Sequence, residues 1–342
     1  MCHPVVSVII PVFNTRPYLQ QCLDSLTGQT FPEMEIICVD NGSSDGSYEF
    51  LQDYAARHTN MTVLRHPQGR QGGARNAGIE KAKGEYIGFV DSDDFIAPTM
   101  FERMVETAQV EQADVVVCNI KLYYESTGWG RKALADDLLA GDGPFSIQQR
   151  PRLLRNLTIC NKLFSRELIE RNHIRFPEGS FHEDQFFVIA AFLLAQRIVS
   201  VPEALYFYRR ERSGSVNKYR GVDHLQIFRV LEMVNAFVAG RQIQDSYQGL
   251  IEELAISRIL LVAHLIGGKH RHPYFRRMRS EFRKMKLPEQ PKILTPSEYR
   301  EFQIVRRFGY LIYNLLYQLL RPGYGHLRGD IVQLQKTLGK VK

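Results

Sequence analysis

The first 120 residues switch repeatedly between two hydrophobic periods. Residues 5–10 (VVSVII) form a short β-branched run closed by Pro11, the pattern of a buried strand. Residues 16–27 carry Leu19, Cys22, Leu23 and Leu26 at helical spacing, with Pro17 suited to a first turn. A second strand follows at 35–40 (EIICVD), and Phe50, Leu51, Tyr54 and Ala55 mark the inner face of a second helix. The alternation continues with a strand at 61–65, a helix at 73–82, a strand at 85–90, a helix at 98–111 and a strand at 114–120. Strands separated by helices of about ten residues imply right-handed crossovers and a mostly parallel, doubly wound α/β sheet covered on both faces.

Past residue 120 the pattern loosens. Residues 129–143 are rich in Gly and Asp and read as a loop that orders on binding. Shorter elements are expected at 161–171 and 183–195, and one or two strands at 199–210. From residue 222 onward the pattern is helical, through 225–238, 250–266 and 298–320. No internal repeat or low-complexity tract interrupts it.

Of the 342 residues, 44% are apolar and 24% charged, a globular composition long enough to bury a core without disulfides. The five cysteines include no C-x-x-C pair, which argues against a disulfide framework and a zinc ribbon and for a reducing compartment. The apolar runs at 186–195 and 308–320 are too short to span a bilayer, and the N-terminus lacks the basic start of a signal peptide. A cytoplasmic location is the expectation. The net charge of +7 is concentrated: residues 269–286 hold eight Lys/Arg and one acid. There Phe275, Met278, Phe282 and Met285 step by three or four, giving a helix with one apolar and one cationic face. Such a face suits an anionic membrane surface, peripheral on the inner side of the cell membrane. It equally suits packing on other helices or on a second protomer of a homo-oligomer. With no recognition fold beside it, nucleic acid is not the expected partner.

In a doubly wound sheet, ligands bind outside the carboxyl ends of the strands. Four polar or glycine-rich clusters fall on that rim: PVFN at 11–14, DNGSSD at 40–45, GRQGGAR at 69–75 and DSDD at 91–94. Any one of them could be a solvated turn, but four on one rim favour a site. Asp91, Asp93 and Asp94 crowd three carboxylates into four residues, and that charge needs compensation. Two carboxylates with water and phosphate oxygens are how Mg²⁺ or Mn²⁺ is usually held beside a diphosphate. The Gly-rich segment before Arg75 opens a helix whose N-terminus favours an anion. No G-x-G-x-x-G follows the first strand and no G-x-x-x-x-G-K-[ST] occurs, which disfavours dinucleotide and P-loop sites.

These segments, V-S-V-I-I-P-V-F-N (6–14), V-D-N-G-S-S-D-G-S (39–47), G-G-A-R-N-A-G (72–78) and G-E-Y-I-G-F-V-D-S-D-D (84–94), resemble the family 2 glycosyltransferases of the GT-A fold. N-K-L-F (161–164), H-E-D-Q-F-F (182–187) and Y-F-Y-R-R-E-R-S-G-S-V (206–216) extend the likeness, in order, to residue 217. The look-alikes are bacterial enzymes that build O-antigen, capsule and other surface polysaccharides. The resemblance implies a GT-A type sheet over residues 1–217, with a nucleotide-binding half at 1–120 and an acceptor half at 121–217. A helical, basic extension follows at 218–342.

The implied activity is inverting, metal-dependent transfer of a sugar from a nucleotide-diphosphate donor, first of all a UDP-sugar. The acceptor would be a hydroxyl of a glycan or lipid-linked oligosaccharide. By the same resemblance, Pro11, Val12, Phe13, Asn14, Asp40 and Asn41 would hold the base and ribose. Many relatives have Asp where this chain has Asn41, and an amide can still pair with a uracil ring. Arg75 would lie by the diphosphate, with Ser92 in the donor site. Asp93 would be the direct ligand of Mn²⁺ or Mg²⁺, with Asp91 nearer the ribose or a metal-bound water.

Asp184 would be the base that takes the acceptor proton, ahead of its neighbour Glu183. The pair also suits the N-terminus of a helix. Lys162 would stand near donor or acceptor. Arg209, Arg210, Arg212, Ser213 and Ser215 would belong to a segment that closes over the diphosphate, and His182 is read as a turn residue. Two other readings compete: a catalytically silent nucleotide-sugar-binding scaffold and a sugar nucleotidyltransferase. The second is disfavoured by PVFN in the place of a G-x-G-T-R-like loop, the first by the intact Asp91, Asp93, Asp184 and Arg209.

Overall fold

The computed structural model describes residues 3–67, 70–132, 134, 136–139, 143–210, 222–286, 290–310 and 312–313. Strand β1 (Val6–Val12) is buried along its whole length, as the unbroken apolar run requires. Helix α1 (Arg16–Thr27) leads to β2 (Met34–Asp40), α2 (Ser47–Ala55) to β3 (Met61–Arg65), and α3 (Gln71–Lys81) to β4 (Tyr86–Phe89). These four strands are parallel in the order β3-β2-β1-β4. Helix α3 is pressed onto β1 because Gly78 has no side chain: a Cβ there would stand 2.4 Å from Cγ2 of Ile9.

The second half of the sheet is mixed. The short β5 (Phe95–Ile96) precedes α4 (Met100–Glu111), β6 (Val115–Tyr124), β7 (Gly128–Lys132) and the single turn α5 (Asp136–Leu139). Then come β8 (Lys162–Ser165), α6 (Arg166–Arg171), α7 (Glu183–Leu194) and β9 (Ile198–Arg210). The order continues β4-β8-β6-β9-β5, with β6 and β9 parallel and β8, β5 and β7 antiparallel to their neighbours. The 114–120 strand therefore does not pair with β4; β8 is inserted between them. The 199–210 run is one strand, and its register against β6 shifts beside Pro202, where a missing N–H can be tolerated.

Part of the loop expected at 129–143 is instead β7, held by Trp129, whose ring packs 4.7 Å from Phe207 and 5.4 Å from Tyr123 between centroids. After a 3-10 turn at Val222–Leu225 come α8 (Gln226–Gly240), α9 (Gln244–Leu265), α10 (Arg271–Lys284) and α11 (Pro296–Arg307). Helix α11 starts at a complete capping box between Thr295 and Glu298. It ends at Arg307, because Phe308 is extended and Gly309 follows; Tyr310, Ile312 and Tyr313 are helical again, and residues 314–320 of the expected helix lie outside the described residues.

On α10 the amphipathic reading holds, but its apolar face is used up. Tyr274, Phe275, Met278 and Phe282 are buried in a core shared with α9 and α11. The described part of this region thus resolves the alternatives for α10 in favour of helix packing, and membrane insertion through that face is not what it does. Among the described residues no helix is long and apolar enough to cross a membrane. The helices build this second core and also share in the first. Val234 and Val238 of α8 and Ile251 and Leu254 of α9 belong to the core of the sheet, while Ile227, Phe228 and Ile259 belong to the second cluster.

Candidate active site

The ends of β1, β2 and β4 meet the start of α7. Pro11 and Val12 are buried, so they offer backbone, and the Val12 carbonyl accepts the Asn41 N–H at 2.8 Å. Phe13 stands half exposed above the rim. Asn14 adopts a left-handed conformation (φ 51°), and its Oδ1 accepts from Ser44 N at 2.9 Å. The Asp40 carboxylate is wholly buried and spends both oxygens on the Gly42 and Ser43 N–H groups, shaping the turn. Asn41 differs: its buried Oδ1 has no hydrogen-bond partner among the described residues.

The DSDD turn sorts its carboxylates. Asp94 faces inward, accepting from Tyr206 Oη at 2.6 Å and Arg209 N at 2.8 Å. Burial first, then Asp93 and Asp91, hold its pKa well above the carboxylate range. Ser92 is also buried and takes the Thr15 hydroxyl at 2.8 Å. Asp91 and Asp93 remain at the surface of the turn.

Arg75 ties this turn to α7. Its Nη2 donates to Asp91 Oδ1 and its Nη1 to Glu183 Oε1, both at 2.9 Å, from a side chain only 3% exposed. Burial works against the charge, but Asp91 and then Glu183 more than offset it and raise the guanidinium above its ordinary value. The close approach of α3 and α7 depends on Gly72, where a Cβ would meet Glu183 Cγ at 3.1 Å and the Pro177 carbonyl at 3.2 Å. The first anion at the α3 N-terminus is therefore the protein's own Glu183.

His182 opens α7 from the left-handed region (φ 69°), which the turn reading anticipated. With Glu183 committed to Arg75, Asp184 is the freer of the two acids. Its Oδ1 accepts the Gln185 N–H at 2.9 Å, and its pKa is raised to about 7, by burial first and then by Glu183. Arg75 and Arg258 pull in the other direction.

Two of the expected ligand residues stand inside the fold. Lys162 is fully buried, with Nζ donating to Asn156 Oδ1 (2.8 Å), the Thr158 carbonyl (2.5 Å) and Asn161 Oδ1 (2.9 Å). Burial drops its pKa to about 7. Arg209 lies within β9, buried beneath the acidic turn: Nε donates to the Asp93 carbonyl at 2.7 Å, and the guanidinium meets Glu125 and Gln21. It supports the turn from below. Arg210 of the same expected segment ends β9, while Arg212, Ser213 and Ser215 lie outside the described residues.

Sequence reasoning passed over Tyr206, whose hydroxyl joins Asp94 to the Asp91 N–H, and Arg258, which reaches Gln185 from α9.

Among the described residues no group of three or more His, Cys, Asp or Glu side chains could hold a metal ion. Asp91 and Asp93 are hard oxygen donors, and the inward turn of Asp94 leaves two. That set fits Mg²⁺ or Mn²⁺ only if a diphosphate completes the shell.

Residues 7–172 match the family described as Glycosyl transferase family 2. The glycosyltransferase GlyG of Streptococcus pneumoniae is 35% identical over 228 residues, 62% of this chain and 72% of GlyG. The uncharacterized glycosyltransferase EpsJ of Bacillus subtilis is 36% identical over 217 residues, 60% of this chain but only 61% of EpsJ's length. A crystal structure of Staphylococcus aureus TarS 1–349 in complex with UDP-GlcNAc shares the fold with a TM-score of 0.58, at 22% identity, over 88% of this chain and 91% of that one.

Proposed function

The chain belongs to glycosyltransferase family 2, and from that premise we propose a cytoplasmic, inverting, metal-dependent enzyme. It transfers a sugar from a UDP-sugar to a hydroxyl of a cell-surface glycan or lipid-linked oligosaccharide. One observation carries the reading: Arg75 bridges Asp91 of the donor rim and Glu183 beside Asp184. That bridge supports a reading in which the donor's diphosphate and the catalytic base are neighbours.

The base would enter against Phe13 and Asn41. An acceptor oxygen without a partner, such as Asn41 Oδ1, is satisfied by the ring N–H of a uracil. The UDP-GlcNAc bound by the TarS structure supports the same choice of nucleotide. Asp93 and Asp91 would hold the divalent cation, which neutralises charge on the departing diphosphate. Asp184, opposite the leaving group, takes the acceptor's proton as its oxygen bonds to the anomeric carbon and the carbon–diphosphate bond breaks. A pKa near 7 suits that task, since the base is then about half ionised at neutral pH and mostly ionised above it, yet still basic.

Thermal unfolding with UDP, GDP, CDP or dTDP, each with and without Mn²⁺, tests the reading on wild type and Asp93→Ala. A ligand at ~100 times its Kd adds about 2.7 kcal/mol. A manganese-dependent rise with UDP, lost in Asp93→Ala, is expected. No rise with any nucleotide would leave the silent scaffold as the better description.

A further inference from the structure

Arg258 breaks an apolar stretch of α9, LAISRILLVAHL, as its sole Lys or Arg. A charge in such a place needs a partner. Its Nε donates to Gln185 Oε1 at 3.1 Å, and Gln185 in turn donates its own backbone N–H to Asp184 Oδ1 at 2.9 Å. The other end of the Gln185 amide meets His182 Nδ1 at 3.1 Å, and His182 Nε2 lies 3.3 Å from His224 Nδ1. The first turn of α7 is thus gripped from outside the 7–172 family match, by α9 and by the turn before α8.

We propose that Arg258 is a positioning residue for Asp184. It holds the side chain of the residue whose N–H fixes the Asp184 carboxylate, and it sets a second cation beside that carboxylate. The proposal rests on Asp184 being the base. The charged groups that act on Asp184 are Glu183 on α7, Arg75 on α3, Asp91 after β4, Lys162 on β8 and Arg258 on α9. Arg75 is already shared between Asp91 and Glu183, so Arg258 is the cation whose local acidic partner is Asp184 itself. Farther out, Arg155 and Glu298 act on Arg258 with opposite signs. The C-terminal helices would then complete the active site.

Two measurements on Arg258→Met and Arg258→Lys test this. The first is the pH profile of kcat/KM with whichever sugar nucleotide wild type turns over. Removing an adjacent opposite charge raises a carboxyl pKa by about one unit or more. The acid limb should move up by about that much, costing about five-fold at pH 7 and little at pH 9. Arg258→Lys should restore most of the limb, with UDP affinity unchanged in both variants. A rate lowered equally at every pH, with the limb in place, would overturn the proposal.

The second measurement needs no substrate: urea unfolding at pH 8 of a double-mutant cycle with Asp184→Asn. Asp184→Asn should stabilise the Met background more than the wild-type background, because an ionised Asp184 would there have lost its cation. Additive effects would overturn the proposal. Should Arg258→Met not fold, Arg258→Lys carries both tests with smaller shifts. A wild type inactive on every sugar nucleotide would sink the functional reading, while the unfolding cycle would still decide the link between Arg258 and Asp184.

Discussion

Replacing Arg75 by Met removes a buried cation and leaves two carboxylates facing the space it filled. The side chains of Arg75, Glu183 and Asp91 are 3%, 11% and 28% exposed, so little water reaches the pairs. Breaking a buried pair from one side typically costs about 3–5 kcal/mol, because an uncompensated charge stays behind. For a chain of this length, an unfolding entropy of about 2.1 cal/mol/K per residue turns that into a Tm about 4–7 °C lower. The deficit has a direction in pH. The penalty belongs to the stranded negative charge, so the variant is less impaired in acid than at pH 8.

Urea unfolding at pH 5 and pH 8 reads both features. Adding Glu183→Gln to Arg75→Met should recover more stability at pH 8 than adding Asp91→Asn, since Glu183 is the less exposed acid. A loss below about 1 kcal/mol, the worth of a surface pair, or a loss equal at both pH values, would refute Arg75 as the counter-charge of this site.

Asp184→Asn should lower turnover by about 10²–10⁴-fold while UDP affinity is kept. Because the folded pKa of Asp184 is raised to about 7, wild type loses stability as pH rises from about 4 to 7, and the Asn variant should lack that part of the slope. Asp93→Asn should abolish the Mn²⁺ dependence of UDP binding. Asp94→Asn should keep it, because Asp94 faces Tyr206 and is held above the ordinary carboxylate pKa; equal losses in the two variants would contradict the sorting of this turn. Arg209→Met should destabilise the fold by about 1–3 kcal/mol through the acceptors it leaves unpaired. Weakened UDP binding at unchanged stability would instead restore the closing-segment role.

The parallel half of the fold was legible because each of its strands is a short apolar run and each helix a clear 3.6-residue pattern, as in residues 6–12 and 16–27. The antiparallel insertion was not. The four residues of β8 (KLFS) carry no period, and their place between β4 and β6 is set by pairings 45 to 79 residues away in the chain. The rim residues were found because strand ends are local. Which way they face was not, since Asp93 and Asp94 are adjacent and only Tyr206 and Arg209, far along the chain, turn Asp94 inward. Lys162 misled for the reverse reason: a lysine beside family motifs looks functional, and its three internal acceptors are invisible in sequence. Arg258 did leave a trace, the sole Lys or Arg of α9, set in its apolar stretch 254–265, but only the fold shows that α9 lies against α7's first turn.

The change of pattern near residue 222 marks a change of secondary structure, and the packing argues that it does not separate two folding units. Val234, Val238, Ile251, Leu254 and Ile293 are each at most 2% exposed and sit in the core of the sheet. Full burial of such side chains is worth about 1.5–3 kcal/mol apiece, or about 8–15 kcal/mol together, against a typical total stability of about 5–15 kcal/mol. A chain cut after residue 217 would also bare Phe186, whose ring packs 5.7 Å from that of Phe237, and would lose the grip of Arg258 and His224 on the start of α7. It is therefore expected to be insoluble, or to unfold without a cooperative transition when followed by circular dichroism. A soluble 1–217 fragment with a sharp transition would show that the sheet folds alone and that the helices were added to a finished domain; its UDP affinity would then say whether they matter to the donor rim or only to the acceptor side.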